Sequence, residues 1–284
     1  MTITLIGAGN LASALGPALQ AAGYRIDTVA GKDLPASRRR ALALARKLKA
    51  KAVVLDELEI GSDIVWLCCA DDALPDIARR LAHLDGWKGK AVFHSSGALT
   101  SDILLPLGRR GAVTASLHPM MTFVAGSAPS MEGVPFAVEG DRKAIAIARQ
   151  IAKALKADIF EIKKTAKVLY HALGSLSSPM LVATLVTAER VGRAVGLSQK
   201  QLRKIMSPIL RQTLQNYLRA GAAASFSGPI KRGDVNTIRG HLEELDKVPG
   251  AADVYRALIK SALMYLPSKN KKALSNLLKN AGSV

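Results

Sequence analysis

A short apolar run, Ile3-Thr4-Leu5-Ile6, leads straight into Gly7-Ala8-Gly9-Asn10-Leu11-Ala12 and then into a segment of helical periodicity. A strand that turns on glycines into a helix has few physical solutions, because the turn needs permissive backbone and the helix start leaves N–H groups free. Gly7 permits the tight turn, and Gly9 lets the backbone approach a pyrophosphate. Ala12 stands where a small residue allows helix and strand to pack closely. At Asn10, Leu11 and Ala12 the free N–H groups and the helix dipole favour an anion. The pattern predicts the first βαβ unit of a dinucleotide-binding domain.

The alternation continues. Tyr24–Ala30, Ala52–Leu55, Ile64–Cys69, Ala91–His94 and Ala112–Leu117 read as strands, with helices at Leu11–Ala22, Ala36–Leu48 and Leu74–Leu84. This implies an α/β Rossmann domain, doubly wound on a mainly parallel sheet, over residues 1–164. Phe136–Glu139 and Asp158–Ile162 extend the sheet, flanking a helix at Lys143–Leu155. From Thr165 the strand pattern stops. Ala166–Val195, Ser198–Ala220, Asp234–Leu245, Ala251–Tyr265 and Lys271–Lys279 read as helices of an all-α domain over residues 165–284, with Gly196, Gly221, Gly228-Pro229 and Pro249-Gly250 as breaks. Val168 to Ala188 holds no formal charge, but His171 and Pro179 within it favour a buried soluble helix interrupted near Pro179 over a membrane span.

The formal net charge is +18, and most of the excess follows residue 164, with 18 Lys and Arg against 6 Asp and Glu. Such an excess suits anionic partners. Aromatics make up only 4% of the chain, so the interleaved aromatics of a single-strand binder are missing, and no nucleic-acid reading motif is recognisable. Cys68 and Cys69 are the only cysteines and are neighbours, which suits a reducing compartment. No basic and apolar leader opens the sequence, and no metal-ligand spacing occurs among the histidines. The expectation is a cytoplasmic protein without bound metal, membrane or nucleic acid.

The second strand ends in Val29-Ala30-Gly31-Lys32-Asp33. An NAD site usually presents a carboxylate here to the ribose hydroxyls. Ala30 and Gly31 offer none, whereas Lys32, Ser37, Arg38 and Arg39 suit a 2′-phosphate. NADP is therefore expected over NAD, with Asp33 the residue that favours the alternative. The later strand ends gather polar groups: Cys69-Ala70-Asp71, His94-Ser95-Ser96-Gly97 and His118-Pro119. Lys167, His171, Ser175 and Ser178 share one face of the first long helix beyond the strands. Arg232 and Asp234 occupy a glycine-punctuated turn, with Asp234 placed as a helix N-cap and His241 two turns on.

Asp71-Asp72, His94-Ser95-Ser96-Gly97-Ala98, Leu117-His118-Pro119-Met120, Tyr170-His171 and Gly228-Pro229-Ile230-Lys231-Arg232-Gly233-Asp234 with the trailing His241 resemble the DUF2520, Rossmann-like NADP oxidoreductase family over about Ile3 to Leu245. That family is similar in architecture to pyrroline-5-carboxylate reductases and to the 6-phosphogluconate and β-hydroxyacid dehydrogenases. The resemblance implies a C-terminal domain of the 6-phosphogluconate dehydrogenase type, homodimerisation through it, and an interdomain active site. The β-hydroxyacid dehydrogenases carry Lys-x-x-x-Asn on the first long helix. Here Lys167 keeps the Lys, and His171 replaces the Asn.

The expected activity is hydride transfer between NADP(H) and a small anionic carbonyl, imine or alcohol. His118, or His171 with Lys167, exchanges the proton. Ser95, Ser96, Tyr170, Ser175, Arg232, Asp234 and His241 are the candidate substrate ligands, with Arg232 orienting the anion. Gly7, Gly9, Asn10, Leu11, Ala12, Gly31, Lys32, Arg38, Cys69, Ala70, Asp71 and His94 are the candidate cofactor contacts. The alternative is a non-catalytic NADP-binding sensor or interaction protein.

Overall fold

A computed structural model describes residues 1–127 and 129–280, and the chain divides into two compact units, one from Met1 to Ser177 and one from Ser178 onward. The first unit opens β1 (Thr2–Ile6), α1 (Asn10–Ala21), β2 (Arg25–Gly31), α2 (Pro35–Leu48) and β3 (Lys51–Val54). It continues with β4 (Ile64–Leu67), α3 (Leu74–Leu81), β5 (Ala91–His94), α4 (Leu105–Gly108) and β6 (Val113–Pro119). It closes with β7 (Pro135–Gly140), α5 (Arg142–Ala154), β8 (Asp158–Glu161) and α6 (Lys167–Ser177).

The eight strands form one sheet in the order β3-β2-β1-β4-β5-β6-β7-β8. β1 to β6 pair in parallel, β7 runs antiparallel to β6, and β8 is parallel to β7. Successive residues bury on opposite faces, as the strand repeat of two demands. Leu5, Trp66 and Phe93 pack on the α1–α2–α5 side. Ile6, Leu67 and Val92 pack on the α3–α4 side with Trp87. The chain reverses its direction of winding between β1 and β4, so their carboxyl ends open the crevice where such sheets take ligands.

The second unit holds α7 (Pro179–Ala194), α8 (Gln199–Ser225), α9 (Pro229–Arg232), α10 (Val235–Leu245), α11 (Ala251–Tyr265) and α12 (Lys271–Asn280). Its core is Ile238, Leu242, Ile259, Leu274 and Leu278, from α10, α11 and α12. α8 starts at a Ser198/Gln201 capping box, in which side chain and backbone satisfy each other's free groups, and kinks at Gly221.

The first compact unit includes α6, whose Lys167 is tied to the strand ends, and so runs past the 164/165 boundary at which the strand pattern stops. Two expectations change. The helix expected over Ala166–Val195 is two helices, broken at Ser178 (φ −129°, ψ −80°) ahead of Pro179. It is also not buried: residues 164–194 are long and apolar enough to cross a membrane by length and composition, and Lys167 alone among them is buried.

Candidate functional site

The glycine turn has the shape its sequence implies. Gly7 sits at φ +100°, and a Cβ there would stand 2.8 Å from the Cys68 carbonyl oxygen, so only glycine fits. Gly9 differs: a Cβ on it meets nothing within 4 Å, leaving open space above the turn. Gly9 is the N-cap of α1 without a side-chain cap, and the first turn is closed only by Ser13 N–H donating to the Gly9 carbonyl. Among the described residues, the N–H groups of Asn10, Leu11 and Ala12 have no acceptor. Open space in front of a row of free donors fits a diphosphate. Asn10 adds a tether, its side-chain amide donating to the Phe123 carbonyl at 3.1 Å.

At the end of β2, the Lys32 N–H donates to Ser37 Oγ at 3.0 Å, which leaves the Lys32 side chain exposed beside the start of α2. Arg38 is paired with Asp33 at 2.5 Å, both more than half exposed. The residue expected to favour the NAD alternative is thus held by the arginine expected to favour NADP. An exposed pair of this kind is worth little and is readily exchanged for a phosphate. Across the turn, Cys69 donates weakly from Sγ to the Ile6 carbonyl at 3.3 Å, and burial pushes its thiol up to about 12, which makes it a poor nucleophile.

The ends of β5 and β6 converge on α6. Lys167 is 1% exposed. Its Nζ donates to the Ser96 carbonyl at 2.9 Å and to Ser116 Oγ at 2.6 Å. Burial lowers this amine to about 8, while Glu139 and then Asp71 pull it back up. His118 Nδ1 lies 3.1 Å from the Tyr170 hydroxyl. The His118 ring stands edge-on to both Tyr170 and His171, at centroid separations of 5.5 and 5.9 Å. Burial, then Lys167 and His171, lower His118 to about 4, and burial raises Tyr170 to about 12. Both are therefore neutral at physiological pH. Gly97 makes the cluster possible, since a Cβ there would lie 2.5 Å from the His171 ring and 2.9 Å from the His118 ring.

Several expected ligands are occupied. His94 is fully buried; its Nδ1 accepts the Ser96 N–H at 3.1 Å and its Nε2 faces the Thr100 carbonyl at 3.2 Å. Neither ring nitrogen is left for a cofactor, and burial lowers the ring to about 3. Ser96 Oγ donates to Asp71 at 2.8 Å and accepts the N–H groups of Ala98 and Leu99, so it shapes the turn and has no capacity left for substrate. Asp71 is the anchor of that turn. Ser175 Oγ bonds back to the His171 carbonyl. Ser95 Oγ accepts from Trp66 Nε1 at 2.8 Å and keeps its own proton to donate. Ala70, ahead of the short turn at Asp71–Ala73, offers only backbone.

In the helical unit, Arg232 grips Asp234 through Nε (2.8 Å) and its terminal nitrogen (2.7 Å). Asp234 occupies the N-cap position of α10, yet its side chain makes no cap bond, because Arg232 holds it. This weakens the expectation that Arg232 clamps an anionic substrate. His241 Nδ1 lies 2.8 Å from the Tyr255 hydroxyl, beside an apolar cavity of about 430 Å³ between α7, α10 and α11. Among the described residues no group of His, Cys, Asp or Glu is placed to hold a metal.

Ser116 and Glu139 are the site residues that the sequence did not single out. A hydroxyl at a buried position of an apolar strand, and a carboxylate in Phe136–Glu139, were the available signals.

Residues 1–119 match a Rossmann-like domain, and residues 134–262 match a domain of unknown function, DUF2520. Among solved structures, a Bacteroides fragilis protein provisionally named an NADP oxidoreductase is 22% identical, with a TM-score of 0.76 over 92% of this chain and 96% of its own. A Thermotoga maritima protein is 23% identical, with a TM-score of 0.70 over 98% of each chain. An imine reductase from Myxococcus stipitatus, solved with NADP+, is 17% identical, with a TM-score of 0.66 over the whole of both chains. No curated protein matches. The chain thus carries a Rossmann-like domain, with the glycine turn at its start, followed by a DUF2520 domain.

Proposed function

We propose that the chain is an NADP-dependent oxidoreductase acting on a small carbonyl, imine or alcohol, with Lys167 carrying the proton that accompanies hydride. Lys167 is the observation that carries this reading: a buried amine brought down to about 8 at the strand ends of a dinucleotide-binding sheet. The turn after β1 holds the diphosphate on the free N–H groups of α1, and Lys32 with Arg38 and Arg39 provides for the 2′-phosphate. NADP(H), when bound, supplies the hydride chemistry.

The chain's own groups do the rest. Ser116 Oγ and the Ser96 carbonyl fix Lys167 Nζ, so its proton sits at one place and is exchangeable near neutral pH. His118, neutral and bonded to Tyr170, orients substrate by hydrogen bonding, and so replaces the proton-exchange role expected of it. Ser95 retains a donor for the same purpose. A titratable lysine favours turnover over a sensor, which has no need of one. Two neighbours support an imine or carbonyl substrate: the Myxococcus stipitatus imine reductase with NADP+, and a reductive aminase from Aspergillus terreus solved with NADPH and the keto ester ethyl 5-oxohexanoate.

Titration with NADPH and NADH, followed by NADPH oxidation against panels of cyclic imines, aldehydes and ketones with and without added amine, tests the reading. Binding of neither dinucleotide would end it. Binding without turnover on any panel would leave the sensor. In the reductive direction, activity should fall as pH rises through about 8, because the protonated amine is the donor.

The same proposal includes a cytoplasmic homodimer. Cys68 and Cys69 are both free, as a reducing compartment keeps them. No residue of α7 is buried and only Leu202 of α8 is, while Met180, Val182, Val186, Ile205, Ile209 and Leu218 are half or more exposed. An apolar surface of this extent is what a second copy covers.

A further inference from the structure

Lys167 carries its charge without a direct counter-ion. Both of its partners, the Ser96 carbonyl and the Ser116 hydroxyl, are neutral, and the side chain is shut off from water. A buried ammonium in such a setting is costly unless a carboxylate compensates at a distance. Two carboxylates act on it, Glu139 and, less strongly, Asp71. Asp71 is partly exposed and its field is in part screened by solvent, whereas Glu139 is 4% exposed. Glu139 is the direct partner of Ser116 in the antiparallel β6–β7 register, so the two side chains leave the same face of the sheet. Each of its oxygens accepts a hydrogen bond: Oε1 from the Ser101 N–H and Oε2 from the Ser101 hydroxyl, each at 2.7 Å. Ser101 ends the turn whose Ser96 carbonyl holds Lys167, and His94 bridges that turn from Ser96 to Thr100.

We propose that Glu139 is a positioning residue for Lys167: it clamps the 96–101 turn through Ser101, and across the β6–β7 pair it supplies the buried negative charge that keeps the Lys167 ammonium charged. The mechanical and electrostatic parts converge on one nitrogen. The other groups facing Lys167 do not substitute. His94 and His118 lie near it from β5 and β6 and are neutral at physiological pH. Lys164 also lies in the field of Glu139, but its ammonium is held by Asp102. Without Glu139, only the solvent-screened Asp71 remains.

This rests on the proposed role of Lys167 only for its catalytic meaning, and its test needs no substrate. Full-length protein labelled with ¹³C and ¹⁵N on lysine is titrated by NMR, and the Lys167 resonance is assigned as the one lost in Lys167→Met. Glu139→Gln should lower the proton affinity of Lys167 about tenfold or more. Ser101→Ala, which keeps the charge and loosens the clamp, should change it less than Glu139→Gln does and speed amide exchange at Thr100 and Ser101. A Glu139→Gln change under about threefold would overturn the proposal. If Glu139→Gln does not fold, Glu139→Asp is read instead: a smaller fall supports the proposal, and no change overturns it. Titrations that behave as expected in a protein that binds no dinucleotide would leave this inference standing and remove the oxidoreductase reading.

Discussion

In the N-terminal unit, Thr4, Ser62, His94, Ser96, Ser101, Thr114, Ser116, Glu139 and Lys167 are buried, and each has a hydrogen-bond partner within the unit. In the helical unit, no polar or charged residue is among the buried ones described. Among the described residues, the two buried side-chain atoms without a partner, Arg256 Nε and Ser268 Oγ, both lie there. The apolar residues reverse the comparison. The sheet encloses its own on both faces, while α7 and α8 leave theirs in solvent. A buried polar network is costly unless complete, so a region that completes one is holding groups in fixed places. A helix face that buries nothing derives little stability from its own unit. The sheet unit fixes its polar groups in place, and the helical unit leaves apolar faces open.

The largest expected effect separates positioning from stability. Lys167→Met should lower turnover by about 10³-fold while NADPH affinity stays within about threefold, because a lost proton carrier costs catalysis rather than binding. Unfolding free energy is read alongside: a methionine removes the cost of a buried ammonium but leaves buried Glu139 without the charge that faces it, so the two terms oppose each other. A variant as active as the parent would break the contrast at its centre. Next come the two glycines of one turn. Gly9→Val should weaken NADPH about 100-fold or more, roughly 3 kcal/mol, with little change in thermal stability, because its Cβ enters open space. Gly7→Ala should instead destabilise the fold by about 2–4 kcal/mol, from a strained φ and the contact with Cys68. Equal thermal shifts in the two would contradict the geometry of the turn.

A comparable effect is expected in the helical unit. Replacing Ile209 and Leu218 together by Glu should convert a dimer into a monomer in light scattering, with NADPH affinity in the sheet unit unchanged. A parent protein that is monomeric at micromolar concentration would remove the covered-face reading. The effect smallest at each step, spread over several pH units, is the pH dependence of stability. His94 and His118 are held neutral, with folded-state values of about 3 and 4. Above the ordinary histidine value near 6.5 neither state binds the proton, so their contribution is fully present. As pH falls below it the unfolded chain takes up protons that the folded chain refuses until about 4 and then 3, and stability declines over that window. Each ring contributes at most about 1.4 kcal/mol per pH unit. Denaturant unfolding of His94→Gln between pH 3 and 7 should show a shallower slope than the parent, and an unchanged slope would mean that His94 is not held neutral.

Most of the sheet was legible because its signals are local. A short apolar run marked Ala91–His94 to the residue, and glycine chemistry marked the turn after β1. The polar strand ends were found too, but their roles were not. Ser96 and His94 looked like ligands because sequence shows that a donor exists, and not that its bonds are already made. Glu139 and Ser116 escaped notice because each is one polar residue in an apolar strand, informative only once its neighbour across the sheet is known.

By itself, then, the sequence determined what depends on spacing along the chain: the βαβ order, the glycine turn, the helical second half and the amine at Lys167. The tertiary structure alone decided which of these groups meet. Ser96 and Ser116 reach Lys167 across 71 and 51 residues, Ser101 reaches Glu139 across 38, and Arg232 spends its charge on Asp234. Those pairings depend on strand order and on how deeply each side chain lies from water, and burial sets both the availability of a hydrogen bond and the ease of carrying a charge.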